Sequence, residues 1–426
     1  MNKVKGTYDV LPNESYKWQY LESKIKQIMK KYNYEEIRTP IMEYSGVFHR
    51  ESELSDMVTK ETYNFKDKAN RDITLRPEGT AGIARSYVEN KLYAHYDLFK
   101  VYYIGPNFRY ERPQKGRYRQ FYQFGIEAIG QKSALLDAEV IAMSSEFIKS
   151  LGLKNVVVEI NSIGDNKSRM EYQKQLVNYL TPFYNKLSKD SQERLEKNPL
   201  RILDSKEAND QEIILNAPKP LDFLNDESKQ YFEEVLQYLE ALDVKYVINK
   251  QLVRGLDYYS DTVFEVKAQI EGFGAQNVLG GGGRYSDLVK ELGGPDTSAI
   301  GIAFGMERLL LALEAENVLP NYEKQLDSFI ITFGENEKLY ATKVLSLLRN
   351  NNFIVDIDFG NKSFKSQLRK ALNNNAKTLI IIGENEFKNE TVTLKNTKTE
   401  QQIEVSLNNL IKQLNNELRE ENANTL

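Results

Sequence analysis

The chain has no cysteine and only two histidines, His49 and His95, among 426 residues. Disulfides and thiolate nucleophiles are excluded, and a Cys/His zinc site nearly so. Long apolar runs are missing as well. No stretch of about 18 apolar residues occurs, and residues 1–13 hold no apolar segment of the kind a secretion signal needs. The expected location is the cytoplasm, with no membrane partner. A net charge of −4 gives no global basic footprint, so any contact with nucleic acid must come from local basic segments.

What is present is ordinary for a folded chain: 41% hydrophobic and 28% charged residues, at a length that suits two to four domains. Trp18, Leu21, Ile25, Ile28, Met29 and Tyr32 recur at helical spacing and predict an amphipathic helix over about 14–32. Pro40 within Ile37-Arg38-Thr39-Pro40-Ile41 suggests an edge strand. A second helix is expected over 81–90, and strands rich in Tyr, Phe and Ile over 102–130. Between 164 and 242 the sequence becomes charged and helix-favouring, with Leu176, Leu180, Phe183 and Leu187 at helical intervals, and reads as an inserted helical subdomain. Strands return over 246–305, followed by a helix from Met306. The domains expected are thus 1–163 and 243–322, two parts of one domain, the insertion 164–242, and a terminal domain 326–426. In the last, short apolar strands alternating with helices argue a small α/β fold. Its stretch holding Lys362, Lys365, Arg369, Lys370 and Lys377 lacks acidic residues, and is either a solvated helix face or an RNA-contacting surface. The tail from Asn415 is expected to fray.

The most informative segment runs from Gly105 to Glu127. Two strands flank a loop whose charges Arg112, Lys115, Arg117 and Arg119 are all basic. Because strand side chains alternate, Arg109 and Glu111 share one face, and Arg119, Phe121, Gln123, Gly125 and Glu127 share another. A bland antiparallel strand would explain any one of these residues, but not the set. Arginine can hold a phosphate in two places at once, a flat ring can stack a purine, and a basic loop can neutralise a triphosphate or an RNA end. The glycines 280–283 lack the lysine and spacing of a phosphate loop, and read as close backbone approach that lets Tyr285 reach inward.

This segment resembles motif 2 of class II aminoacyl-tRNA synthetases, in a wording close to the histidine-specific family. Leu-Val-Arg-Gly-Leu-Asp-Tyr-Tyr at 252–259 and Leu-Gly-Gly-Gly-Gly-Arg-Tyr at 279–285 resemble the two histidyl signatures. The stretch from Ala299 to Leu309 is similar to motif 3, and residues 36–62 occupy the place of the looser motif 1. The resemblance spans nearly the whole chain. It implies an α+β class: an antiparallel-sheet catalytic domain with a helical insertion and a C-terminal α/β anticodon-binding domain. It also implies ATP-dependent activation of L-histidine and its transfer to the 3′ end of tRNA(His), with Mg2+ accompanying ATP, no metal held by the protein itself, and a homodimer built through motif 1.

By position, the resemblance assigns the α-phosphate to Arg109, the adenine to Glu111 and Phe121, and the outer phosphates to Arg308 with Arg117. Arg254 takes the catalytic place. Glu78, Gly79 and Thr80 would hold the α-ammonium of histidine, and Gln123 its carboxylate. Glu127, with Tyr258, Tyr259 and Tyr285, would read the imidazole, while Gln114 and Arg119 would meet the acceptor end of tRNA. For Glu78 the competing reading is a carboxylate at a helix start. If Tyr258 and Tyr259 are both extended they point to opposite faces, so one is expected in the core. The alternatives are a regulatory relative in histidine biosynthesis that lacks tRNA charging, a related synthetase for another amino acid, or a binding-only protein of the same fold.

Overall fold

The computed structural model describes all residues except 51, 52, 54, 115, 274–276, 323 and 424–426. The chain divides into two compact units, Met1–Leu319 and Pro320–Leu426.

In the first unit, α1 (Pro12–Lys31) starts on a proline, which tolerates the first helical turn, and buries Leu21, Ile25, Ile28 and Met29. The short strands β1 (Glu35–Glu36) and β2 (Met42–Tyr44) follow. The expected edge strand over 37–41 is not one. The Ile37 amide still donates to Tyr102, at 2.8 Å, but Pro40 ends the pairing, so the true edge strand is β1 just upstream. Next come α2 (Asp56–Lys60), β3 (Tyr63–Lys66), β4 (Asp72–Leu75), α3 (Thr80–Glu89), β5 (Phe99–Phe108), β6 (Gln120–Ile129), α4 (Ala134–Ser150) and β7 (Val156–Ser162). The inserted helices are α5 (Asn166–Leu180), α6 (Lys189–Lys197) and α7 (Ala208–Leu215). The unit closes with α8 (Asp226–Ala241), β8 (Tyr246–Ile248), β9 (Tyr259–Ala268), β10 (Val278–Tyr285), α9 (Leu288–Glu291), β11 (Ala299–Gly305) and α10 (Met306–Ala315).

Eight of these strands form one sheet in the order β1-β5-β6-β11-β10-β9-β7-β8, antiparallel except for β1 with β5 and β7 with β8. Period-two alternation decides which side chains go where. Phe124 and Ile126 of β6 and Ile300, Ile302 and Phe304 of β11 pack under α1, α4, α8 and α10. Phe124 and Phe304 stack 5.6 Å apart, with Phe147 of α4 edge-on to both. The opposite face of the same strands carries Gln123, Gly125, Glu127, Gly301 and Ala303, and is left open. The inserted helices have a core of their own, formed by residues such as Tyr172, Leu176, Leu180, Ile202 and Ile213. α8 buries Phe232, Val235 and Leu239 in the main core, so the separate helical core ends near Phe223, before α8.

Arg284 on β10 is fully buried. It pairs with Asp137 of α4, which also accepts from Thr262 Oγ1 at 2.7 Å, and it donates to Ser298 Oγ at 2.6 Å. A buried pair of this kind is tolerable only with its remaining valences satisfied. This one ties β10 to the helix layer beneath it.

In the second unit, β12 (Leu326–Thr332), β13 (Val355–Ile357) and β14 (Ala376–Ile382) are parallel, and β15 (Thr391–Asn396) and β16 (Gln402–Ser406) extend the sheet antiparallel in the order β13-β12-β14-β15-β16. Its helices are α11 (Glu335–Asn350), α12 (Phe364–Asn373), α13 (Glu384–Asn389) and α14 (Leu407–Ala423). From Asn415 as far as Leu418 the tail is helical rather than frayed, with Leu410 and Leu414 buried and Leu418 packed beside them; 424–426 lie outside the described residues.

Candidate active site

The open face of the large sheet is a cavity of about 370 Å³. Its floor is possible because the β11 residues opposite the polar side chains of β6 are small: Gly301 pairs with Glu127, Ala303 with Gly125 and Gly305 with Gln123. A Cβ on Gly301 would fall 2.0 Å from the Glu127 carboxylate.

Glu127 lies at the closed end. Its carboxylate accepts from Thr80 Oγ1 at 2.6 Å and from the Tyr285 hydroxyl at 2.8 Å. Burial pushes its pKa up to about 8 against those two hydrogen bonds, and nearby Glu78 adds to the rise. Glu78 is itself buried and caps α3, accepting from the amides of Thr80 and Ala81. The capping reading of Glu78 is therefore realised, and the carboxylate lines the cavity as well. Gln123 accepts from Asn107 Nδ2 at 2.6 Å, which turns its own amide nitrogen toward open space.

Tyr258 and Tyr259 both face the cavity. The alternation argument fails for them because β9 begins only at Tyr259, so Tyr258 sits in a turn, its ring 5.4 Å from that of Tyr285. Tyr103 was not anticipated. Its ring is gripped where Cβ atoms on Gly79 and Gly125 would come within 2.2 and 2.4 Å, and its buried hydroxyl has no hydrogen-bond partner among the described residues. Gly79 thus clears space for Tyr103 and does not itself line the cavity. The signal was the β5 to β6 register, which sets Tyr103 opposite Gly125.

The open end is arginine-rich. Arg109 donates to the Pro77 carbonyl at 2.9 Å and lies over the Phe121 ring, 5.1 Å from its centroid. Arg117 approaches Glu111 at 3.5 Å. Arg308, at the start of α10, donates to the Val278 carbonyl at 3.0 Å. Desolvation pushes its pKa down, helped by Arg117, Arg109 and Arg254 and opposed by Glu111. Four guanidinium groups therefore converge here, with Glu111 and Glu265 paired to Arg117 and Arg254 and with Glu307 and Asp204 also on the cavity wall. Such a concentration of cations in a cavity can neutralise an anionic substrate.

Arg254 pairs with Glu265 of β9, and its Nε is buried without a partner among the described residues. Glu265 was missed because a charged residue between Phe264 and Val266 reads as the wet side of a strand. Glu307, also missed, accepts from the Tyr8 hydroxyl at 2.6 Å and the Tyr122 amide at 2.8 Å beside the cavity. Gln114 and Arg119 do not line the cavity: Gln114 bridges to Arg117, and Arg119 lies 3.8 Å over Tyr110. Lys115 lies outside the described residues.

The four glycines of β10 are crowded on both faces. A Cβ would sit 2.3 Å from Phe304 at Gly280, 2.3 Å from Arg254 at Gly281, 2.0 Å from the Gly301 carbonyl at Gly282 and 2.6 Å from the Thr262 carbonyl at Gly283. Close backbone approach, rather than phosphate binding, is what this run provides.

Residues 6–309 match the family model described as histidyl-tRNA synthetase, and 327–417 match that of an anticodon-binding domain. The histidine–tRNA ligase of Acholeplasma laidlawii (strain PG-8A) is 60% identical over 409 residues, covering 96% of this chain and 97% of that protein. That of Oceanobacillus iheyensis is 48% identical over 420 residues, covering 98% of each. The crystal structure of apo S. aureus histidyl-tRNA synthetase aligns with a TM-score of 0.82 at 42% identity, covering 97% of this chain and 100% of that one.

Proposed function

This chain belongs to the histidyl-tRNA synthetase family and is a ligase that joins histidine to tRNA, and from that premise we propose which residues carry each part of the work. The observation that carries the assignment is the polarity of the cavity, with buried carboxylates at one end and four converging arginines at the other.

Histidine enters imidazole first. Glu127 accepts from the ring N–H, within the box of Tyr258, Tyr259 and Tyr285. The α-ammonium lies against Glu78 and Thr80, whose acceptor atoms have lone pairs beyond those used for capping. Gln123 Nε2 holds the carboxylate. ATP lies across the arginines, its adenine stacked on Phe121 and oriented by Glu111, its α-phosphate on Arg109 and its outer phosphates on Arg308 and Arg117. The histidine carboxylate oxygen attacks the α-phosphorus and pyrophosphate leaves, so no protein nucleophile is needed. Arg254 meets the charge that grows on the α-phosphoryl oxygens, a positioning and electrostatic role.

Magnesium is proposed to arrive on the phosphates. Among the described residues no group of three or more His, Asp or Glu gathers to cage an ion, whereas a phosphate-borne ion needs only one or two carboxylates. Glu265 is the residue that would hold it, and the ion would spread the charge of the triphosphate.

A hydroxyl of the terminal ribose of tRNA then attacks the adenylate's carbonyl carbon and AMP leaves, with Gln114 and Arg119 of the basic loop meeting the acceptor end. The second unit takes the anticodon. Supporting this, Phe359 is 78% exposed and Phe333 stacks on Phe364 at 5.8 Å, near the carboxyl ends of parallel strands where α/β sheets bind ligands, with Lys362 and Lys365 alongside. A homodimer through the motif 1 region is supported by the exposed apolar residues Ile41, Met42, Tyr44 and Phe65 on and beside the small sheet β2-β4-β3. Among the described residues no helix is long and apolar enough to cross a membrane, and work on tRNA suits the cytoplasm.

ATP–pyrophosphate exchange tests the assignment. Histidine should support exchange and the other standard amino acids should not. Thr80→Ala should raise KM for histidine far more than for ATP, and Arg308→Ala the reverse; the opposite pattern would overturn the orientation of substrates.

A further inference from the structure

Arg254 stands on residues 251–258, a segment with no helix or strand that joins β8 to β9. Such a segment has little rigidity of its own. The inserted helices grip it from behind. Arg169 of α5 donates through Nη1 to the carbonyls of Asp257 and Tyr259, both at 2.9 Å. Asn198, just past α6, donates to the Asp257 carboxylate. Arg201 lies so close to Gly255 that a Cβ there would fall 2.9 Å from its Nη1. The same insertion is tied to α2, since Arg194 pairs with Asp56 at 2.8 Å. A second cavity, of about 230 Å³, lies on the insertion side of the segment. Arg254, Leu256, Tyr258 and Tyr259 line both cavities, so the segment forms the wall they share.

We propose that the inserted helices set the position of Arg254, with Arg169 and Asn198 as positioning residues for the activation step. The inference rests on Arg254 being the cation that meets the α-phosphate. Its physical basis is that a catalytic group displaced by about 1 Å can lose about 100-fold in rate, and that groups on irregular backbone need a surrounding shell to hold them. The two side chains bond to the segment and to Tyr259 where β9 begins, and not to the framework of the insertion. The insertion keeps its own core of Tyr172, Leu176, Leu180 and Ile202 when those bonds are removed. A merely structural contact and a positioning contact therefore separate experimentally.

The test is a double-mutant cycle on the full-length protein, read by ATP–pyrophosphate exchange with histidine. Arg169→Ala and Asn198→Ala should each lower kcat by about 10-fold or more, with KM for ATP within about twofold of wild type. In an Arg254→Ala background the same substitutions should change kcat by less than about twofold, because the group they position is gone. Arg169→Lys, which keeps a cationic donor, should recover part of the rate. Equal losses in both backgrounds, or unchanged kcat in the single variants, overturn the proposal. If Arg254→Ala alone exchanges at the wild-type rate, the role of Arg254 falls and this inference with it, an outcome distinct from additive losses on a slow Arg254→Ala enzyme. Should Arg169→Ala fail to fold, Asn198→Ala decides the matter, since it removes one side-chain hydrogen bond and leaves the main-chain ones.

Discussion

Replacing Glu127 with glutamine should make the ligand-free protein more stable and nearly inactive with histidine. The carboxylate is held in a dry site that raises its pKa from 4.5 to about 8, desolvation being the main cause. At pH 7 the folded protein must keep the group protonated or bear a buried charge, which amounts to a destabilisation on the order of 3 kcal/mol against an ionised unfolded chain. Glutamine removes that term. Its carbonyl still accepts from the Thr80 hydroxyl, and its NH2 can donate to Tyr285, whose hydroxyl turns to accept. With imperfect geometry a net gain of about 1–3 kcal/mol is expected, or about 2–4 °C per kcal/mol in a domain of this size. The sign with pH follows from proton counts. Between 4.5 and about 8 the unfolded chain binds fewer protons than the folded one, so wild-type stability falls as pH rises through that window and levels off above it. The advantage of Glu127→Gln should be absent below about pH 4.5, grow up to about pH 8 and stay constant beyond. Thermal unfolding of both proteins at pH 5, 6.5, 8 and 9 reads this directly, using settings spaced about one unit or more apart. Histidine should raise the wild-type midpoint and leave the variant's unchanged, while exchange with histidine drops by about 10–100-fold for loss of a charged hydrogen bond. A variant less stable than wild type across the range, or a difference that does not vary with pH, would refute the reasoning.

Three other outcomes are expected. Asp137→Ala leaves Arg284 buried and unpaired and should cost about 3–5 kcal/mol in urea denaturation; Asp137→Ala combined with Arg284→Met should recover part of that loss, and no recovery would mean the pair is not what holds β10. A fragment ending at Leu319 should keep adenylate formation but lose most tRNA charging, with a shallower dependence of tRNA affinity on salt because fewer phosphates are neutralised; undiminished charging would remove the second unit from tRNA binding. Sedimentation at micromolar concentration should show a dimer that Met42→Glu with Tyr44→Glu weakens, and a fully active monomeric wild type would refute the motif 1 interface.

Much of the fold could be read in advance because the signals were periodic. The helical spacing from Trp18 to Tyr32 and the alternation of Phe124 and Ile126 against Gln123 and Glu127 each specify a buried face without tertiary knowledge. Failures came where a neighbour decided the outcome. Tyr258 and Tyr259 both face the cavity because a strand begins between them, a boundary no composition marks. Tyr103 reads as one more core aromatic until Gly125 is set across from it. Glu265, Glu307 and the insertion residues Asp204 and Lys206 reach the cavity through long-range packing. α8 looked like part of the insertion because its exposed face is equally charged, while its buried stripe belongs elsewhere. The last helix looked frayed because Asn415 and its neighbours are polar, yet Leu410, Leu414 and Leu418 recur four residues apart and suffice to anchor it.

The crowded glycines of β10 bear on drug resistance. An inhibitor pressed against that wall would touch main chain, and a protein cannot replace its main chain by point mutation. Of the four, Gly280 and Gly281 line the cavity: a Cβ at Gly280 would strike the packed Phe304 ring, and one at Gly281 would push the Arg254 guanidinium out of its place. Escape would have to come from the rim, at positions such as Lys206 or Tyr118, where side chains have room to change. A saturation scan for growth under such an inhibitor should show an empty strip across Gly280 and Gly281, and survivors carrying substitutions there would show that the wall can yield to admit them.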